Sequence, residues 1–79
     1  MIKLRISNID SFFETVNECE GRVNVIDENG DSTNIAHQIF AQRNLYKQYY
    51  QNKKRLDLCL QIPDPGDYFK IVSYYAGDC

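Results

Sequence analysis

Ile2, Leu4 and Ile6 alternate with Lys3 and Arg5, the two-residue period of a strand buried on one face. Ser7 or Asn8 can cap a helix behind it, in which Ile9, Phe12, Phe13 and Val16 make one apolar stripe. Gly21 is placed to stop that helix in a left-handed turn. "RVNVI" predicts a second strand. In "DENGDS", Asn29-Gly30 tolerates positive φ, so the chain doubles back into a short strand over 32–35. Strict pairing about a two-residue loop would set Val25 opposite Asn34, a poor match, so a longer loop or a bulge is expected. The spacing predicts a second helix over 34–51, with Ala36, Ile39, Phe40, Tyr46 and Tyr50 on its inward stripe and Leu45 and Tyr49 beside it. In "RLDLCLQI", Leu56, Leu58, Leu60 and Ile62 point in while Asp57, Cys59 and Gln61 face the other way. Asp64 caps a last helix with Pro65 at its first position and Asp67 at its third. Tyr68, Phe69, Val72, Tyr75 and Ala76 form its expected stripe, and Gly77 its end.

The element order is therefore β-α-β-β-α-β-α. Three amphipathic helices and one four-stranded antiparallel sheet bury their apolar surfaces by stacking the helices on one face, an α+β open-faced sandwich. A ferredoxin-like arrangement is the alternative. The strands alternate, so the other face is expected to be polar and wet, with Lys3, Arg5, Asn24, Asp57, Cys59 and Gln61 on it. If the first and last strands are neighbours, Asp57 can offset Lys3 or Arg5 across the ladder.

Length confines these elements to a single domain over 1–79, because a chain of 79 residues closes around only one core. No apolar run is long enough to span a bilayer, and the N-terminus lacks a signal peptide's apolar segment, so a cytoplasmic protein without a membrane role is expected. Cys19, Cys59 and Cys79 are widely spaced and odd in number, which fits neither a disulfide framework nor a CxxC metal site; one buried thiol and two spare ones are expected. The net charge of −2 conceals a segregation. Residues 10–31 carry seven acids and one base, whereas residues 32–56 carry five bases and no acid. Such asymmetry can mark an interaction surface, while the small net charge argues against indiscriminate polyanion binding.

The order of elements with an open-faced sheet resembles the HPr-like fold of the sugar phosphotransfer carriers. Locally, "SFFETVNECEGRVNVIDENGDSTNI" is similar to a family of small uncharacterised Firmicutes proteins with that expected fold. The residues that carry the likeness are Phe12-Phe13, Cys19-Glu20-Gly21, and Gly30-Asp31-Ser32-Thr33-Asn34-Ile35. They determine fold and none is chemical. A phosphocarrier needs a histidine at the start of its first helix, where backbone N–H groups stabilise the phosphoryl group. This chain has "SNIDSF" there, and Asp10 would repel phosphate. The carriers' regulatory serine falls at His37 or Gln38 and does not carry over, although Ser32 and Thr33 are close.

Little else in the chain suggests chemistry. His37 is the single histidine, and as a general base it would need a nucleophile and an orienting acid beside it. Asp27, Glu28 and Asp31 lack the pattern of a calcium loop and are explained by turn chemistry. No catalytic, cofactor-binding or metal-ligating residue is expected, and the protein is not expected to be an enzyme. The stretch "RNLYKQYYQNKKR" remains. It interleaves Arg43, Lys47, Lys53, Lys54 and Arg55 with three tyrosines, as single-strand nucleic-acid binders do. Helical spacing turns Tyr46 and Tyr50 inward and the bases toward solvent, which favours a solvated helix end.

The expectation is a small non-catalytic module that binds a protein partner. The candidate surfaces are the ridge of Arg43, Lys47, Lys53, Lys54 and Arg55, and the open face with Lys3, Arg5, Asp57, Cys59 and Gln61. The alternative is a nucleic-acid role, by weak RNA or DNA binding along the ridge or by inhibition of a nucleic-acid enzyme, residues 10–31 imitating phosphates. A phosphotransfer-like regulator modified at Ser32 or Thr33 is a further alternative. The partner's identity and the oligomeric state are left open.

Overall fold

In the computed structural model, which describes residues 2–78, seven elements follow one another as β1 (Ile2–Ile6), α1 (Ile9–Glu18), β2 (Asn24–Ile26), β3 (Ser32–Asn34), α2 (Ile39–Gln51), β4 (Leu56–Gln61) and α3 (Pro65–Asp78). Cys79 lies outside the described residues. The sheet order is β1-β4-β2-β3, antiparallel at every step. Leu4 lies opposite Leu58 and Ile6 opposite Leu56. These side chains are buried together with Ile9, Phe12, Phe13 and Val16 of α1 and Ile71 of α3. Lys3, Arg5, Asp57 and Gln61 are exposed on the opposite side, so one face of the sheet carries the helices and the other is open. α1 packs against both α2 and α3. Asn8 caps it, accepting a hydrogen bond from the Ser11 N–H at 3.2 Å.

The hairpin takes the longer loop. Val25 pairs with Thr33 rather than Asn34, and residues 28–30 form the tip with Gly30 at φ +84°. Asp27 Oδ1 accepts the N–H groups of Asn29 and Asp31, both at 2.9 Å, so the acids expected here as turn residues are turn residues.

Several expectations about the helices need correction, and polar anchors account for most of them. Gly21 does not end α1 in a left-handed turn. The helix stops at Glu18, with Cys19 extended at its end. Gly21 instead allows a close approach, since a Cβ there would meet Asp67 Oδ2 at 3.1 Å. The Asp67 carboxylate is 1% exposed. It accepts the Glu20 N–H at 3.0 Å on Oδ1 and the Gly21 N–H at 2.7 Å on Oδ2. Its own N–H donates to the capping Asp64 Oδ2 at 2.9 Å. With Asp67 drawn inward, Ile71 follows it one turn later and is fully buried. Of the expected apolar stripe of α3, Tyr68, Phe69 and Val72 are exposed, while Tyr75 is half-buried against the core. The helix also runs past Gly77 to Asp78.

The start of α2 is likewise later than its spacing suggests. Asn34 Oδ1 accepts the N–H groups of Val23 and Ala36, both at 3.1 Å, and His37 has φ +59°, so residues 35–38 turn before helix begins at Ile39. Gln42 is buried, its Nε2 donating to Asn17 Oδ1 at 2.7 Å and to the Ile35 carbonyl at 2.8 Å. Gln42, Leu45 and Tyr49 therefore form the inward stripe. Ile39, Phe40 and Tyr50, expected inside, are outside. Asn24, expected on the wet face, is buried, with Arg22 Nε donating to its Oδ1 at 3.4 Å.

Replacing Asp67 by Ala removes the acceptor of two partly buried N–H groups, and should destabilise the fold by about 2 kcal/mol in chemical denaturation. At the far end of α2 the chain turns through Lys53 and Lys54 at φ 58° and 60°, where a Cβ is strained. Lys54→Gly should raise stability by about 1 kcal/mol, read as a higher melting temperature.

Candidate functional site

With Gln42, Leu45 and Tyr49 turned in, helical geometry puts Ile39, Phe40, Arg43, Lys47 and Tyr50 on the solvent side of α2. Phe40 is 79% exposed, Ile39 66% and Tyr50 57%. A soluble helix ordinarily turns such residues to the core, so a run of them around two cations is an unusual outer face. Arg43, Asn44, Tyr46, Lys47, Tyr50 and Gln51 border a shallow recess of about 780 Å³ on it.

Tyr46 forms one wall of that recess and is half-buried. Its ring lies 5.0 Å from that of Phe13, and stacks at 6.5 Å and 14° with Tyr50. Its hydroxyl donates to Asp10 Oδ1 at 2.5 Å. That bond, with burial and the charges of Asp10 and Glu14, pushes the phenol up to about 12. The contact fixes how the first two helices lie. Tyr46 touches Asp10 near the start of α1, and Gln42 touches Asn17 near its end, so α1 and α2 run antiparallel. The exposed side of α1 presents Asp10, Glu14 and Glu18. An acidic stripe thus lies beside a basic, aromatic one. Neither Arg43 nor Lys47 is ion-paired within the chain: among the described residues the one salt bridge joins Arg5 Nε to Asp57 Oδ1, at 3.1 Å.

The five bases of the expected ridge are all exposed and stand on three successive stretches of chain. Arg43 and Lys47 are one turn apart on α2, with exposed side chains. Lys53 and Lys54 form the left-handed turn that ends the helix, the Lys54 N–H donating to the Tyr49 carbonyl at 2.8 Å. Arg55 is exposed at the entrance to β4, where alternation places it on the same side as Asp57.

On the open face, Lys3 lies opposite Cys59 and Arg5 opposite Asp57, so the anticipated charge pair is formed across the ladder. Gln61 is exposed and Cys59 half-buried. Beyond the Val25–Leu60 pair, β2 and β4 part, leaving a wide cleft of about 1260 Å³ whose walls include Lys3, Arg5, Asp27, Glu28, Asp57 and Cys59. The charges on those walls are of both signs, and the salt bridge occupies two of them.

His37 serves the fold. Its Nε2 is 2.9 Å from the Cys19 carbonyl oxygen and its N–H donates to Asn17 Oδ1 at 3.1 Å, tying the lead-in of α2 to the end of α1. The Cys19 thiol is 2% exposed, and burial together with the Asp67 carboxylate pushes it up to about 11. It stays protonated at neutral pH and is a poor nucleophile. Among the described residues no group of His, Cys, Asp and Glu is placed to hold a metal ion, and no helix is long and apolar enough to cross a membrane. Ile39 and Phe40 were missed as surface residues because the apolar spacing assigned them to the core. No local signal marks them, because the inward turn of Gln42 depends on Asn17 and the Ile35 carbonyl, which meet it only in the fold. No protein-family model matches the chain, and no curated protein or solved structure matches it either.

The Tyr46–Asp10 bond has a testable pH dependence. Because the folded-state phenol is raised above its ordinary 10.0, the bond's contribution is complete below that value and is lost as pH rises through about 12. In an ultraviolet absorbance titration Asp10→Ala should lower the pH at which this phenol ionises.

Proposed function

We propose that this domain is a non-catalytic module of HPr-like architecture that binds a protein partner through the outer face of α2. The sheet order β1-β4-β2-β3, with β4 inside the sheet, supports that architecture over the ferredoxin-like one. One observation carries the functional reading: Ile39, Phe40 and Tyr50 are held in solvent around Arg43 and Lys47, which form no salt bridge among the described residues. Large apolar side chains beside an unpaired arginine are the usual composition of a protein-binding centre. The matching partner surface is apolar with acidic residues around it. The open face is the weaker candidate, since Arg5 and Asp57 already neutralise one another there.

Single-stranded nucleic acid is a second reading, favoured by the stacked Tyr46–Tyr50 pair between Arg43 and Lys47. It is opposed by Asp10, Glu14 and Glu18, which line the adjacent helix and repel phosphates.

Phe40→Ser with Lys47→Glu tests the proposal. Both residues are exposed, so the variant should melt within about 2 °C of wild type, while affinity capture from the native cell loses the partners that wild type retains. Retention of the whole set by a folded variant would sink the α2 surface. A labelled oligonucleotide titrated with salt decides the second reading: binding that falls steeply with salt and is lost in the variant would replace protein by nucleic acid as the ligand.

A further inference from the structure

We infer that the surface formed by α1 and α2 pairs with a second copy of this chain, the acidic stripe of each copy lying on the basic stripe of the other. The inference rests on the reading of α2's outer face as a protein-binding surface, and names the partner. Its basis is self-complementarity. The two helices are antiparallel, with Tyr46 against Asp10 and Gln42 against Asn17. Interpolating between those contacts along the two helices sets Glu14 about level with Arg43, and the Asp10–Tyr46 bond sets Asp10 level with the turn holding Tyr46 and Lys47. A two-fold axis parallel to the helices, running along the seam between them, lays α1 of one copy across α2 of the other without changing any residue's height. Glu14 of each copy then falls over Arg43 of the other, and Asp10 over Lys47. Every such contact occurs twice, as an isologous interface requires.

The apolar residues agree with this placement. At about 100° per residue, Ile39, Tyr46 and Tyr50 lie within about 40° of one another, on the flank of α2 nearest α1. In the two-fold arrangement they line the axis and meet their own counterparts, which takes Ile39 and Tyr50 out of water. The result is a four-helix layer with an aromatic seam and two flanking rows of opposite charge, helices packed at the shallow angle usual for bundles. Phe40 stays on the outer shoulder. Among the described residues Glu14, Arg43 and Lys47 form no salt bridge that would compete with these pairings.

Sedimentation velocity on the purified protein, across concentration and salt, tests this with a charge swap. Wild type should associate to a dimer that weakens as salt rises. Glu14→Lys and Arg43→Glu, each alone, set like charges opposite one another twice and should raise the dissociation constant about tenfold or more. Mixing the two single variants should restore dimers, and so should carrying both changes in one chain, because each arrangement returns opposite charges to opposition. Restoration also shows that the single variants are folded. A wild type that stays monomeric at low salt overturns the inference, as does a dimer indifferent to both reversals. Neither result touches the broader reading, which falls only if the folded Phe40→Ser, Lys47→Glu variant keeps every captured partner.

Discussion

The Asp67 carboxylate, buried at the start of α3, is the constraint on which the arrangement of the helix layer depends. Both of its oxygens are engaged by backbone N–H groups of the link between α1 and β2, and its own N–H is held by Asp64. An acceptor in that position satisfies two partly buried donors. The approach is tight: a Cβ at residue 21 would crowd Asp67 Oδ2 at 3.1 Å. Once Asp67 points inward, the rotational phase of α3 is set. Ile71 goes to the core, and Tyr68, Phe69 and Val72 stay out.

A second polar knot sets α2 in the same way. Asn34 holds the backbone just before β2 and just after β3, and Gln42 bridges Asn17 and the Ile35 carbonyl. Burying a large apolar side chain is worth about 1.5–3 kcal/mol, so turning Ile39 and Phe40 outward forgoes a sizeable gain. The compensation is that the polar atoms of Gln42 and Asn17 are matched with donors and acceptors, and that Leu45 and Tyr49 fill the core instead. Tyr49 also donates to the Ser7 carbonyl at 2.6 Å, joining the end of α2 to the start of α1.

The two faces of the molecule follow different electrostatic rules. On the open sheet face the ladder register puts Arg5 opposite Asp57, and they pair at the surface, where such a bridge contributes at most about 1 kcal/mol. On the helix layer the acids of α1 and the bases of α2 sit side by side and leave their charge to solvent. A surface of this kind is complementary to itself after a half-turn, and this makes α1 and α2, rather than the sheet, the better candidate for association.

Periodicity along the chain was sufficient for the order of elements, the open-faced architecture, the Asp64 cap and the placement of Leu4, Ile6, Leu56, Leu58 and Leu60, because a strand's two-residue period and a helix cap are local. The Arg5–Asp57 pair was legible for the same reason, once β1 and β4 were taken as neighbours. Arg43 and Lys47 could be read as solvent-facing from their spacing, but Ile39, Phe40 and Tyr50 beside them could not. Which side of an amphipathic helix faces in is decided by the residues that meet it across the core. For α2 and α3 those are polar side chains fastened to backbone far away in sequence, a relation that exists only when Asn17 stands beside Gln42 and Gly21 beside Asp67.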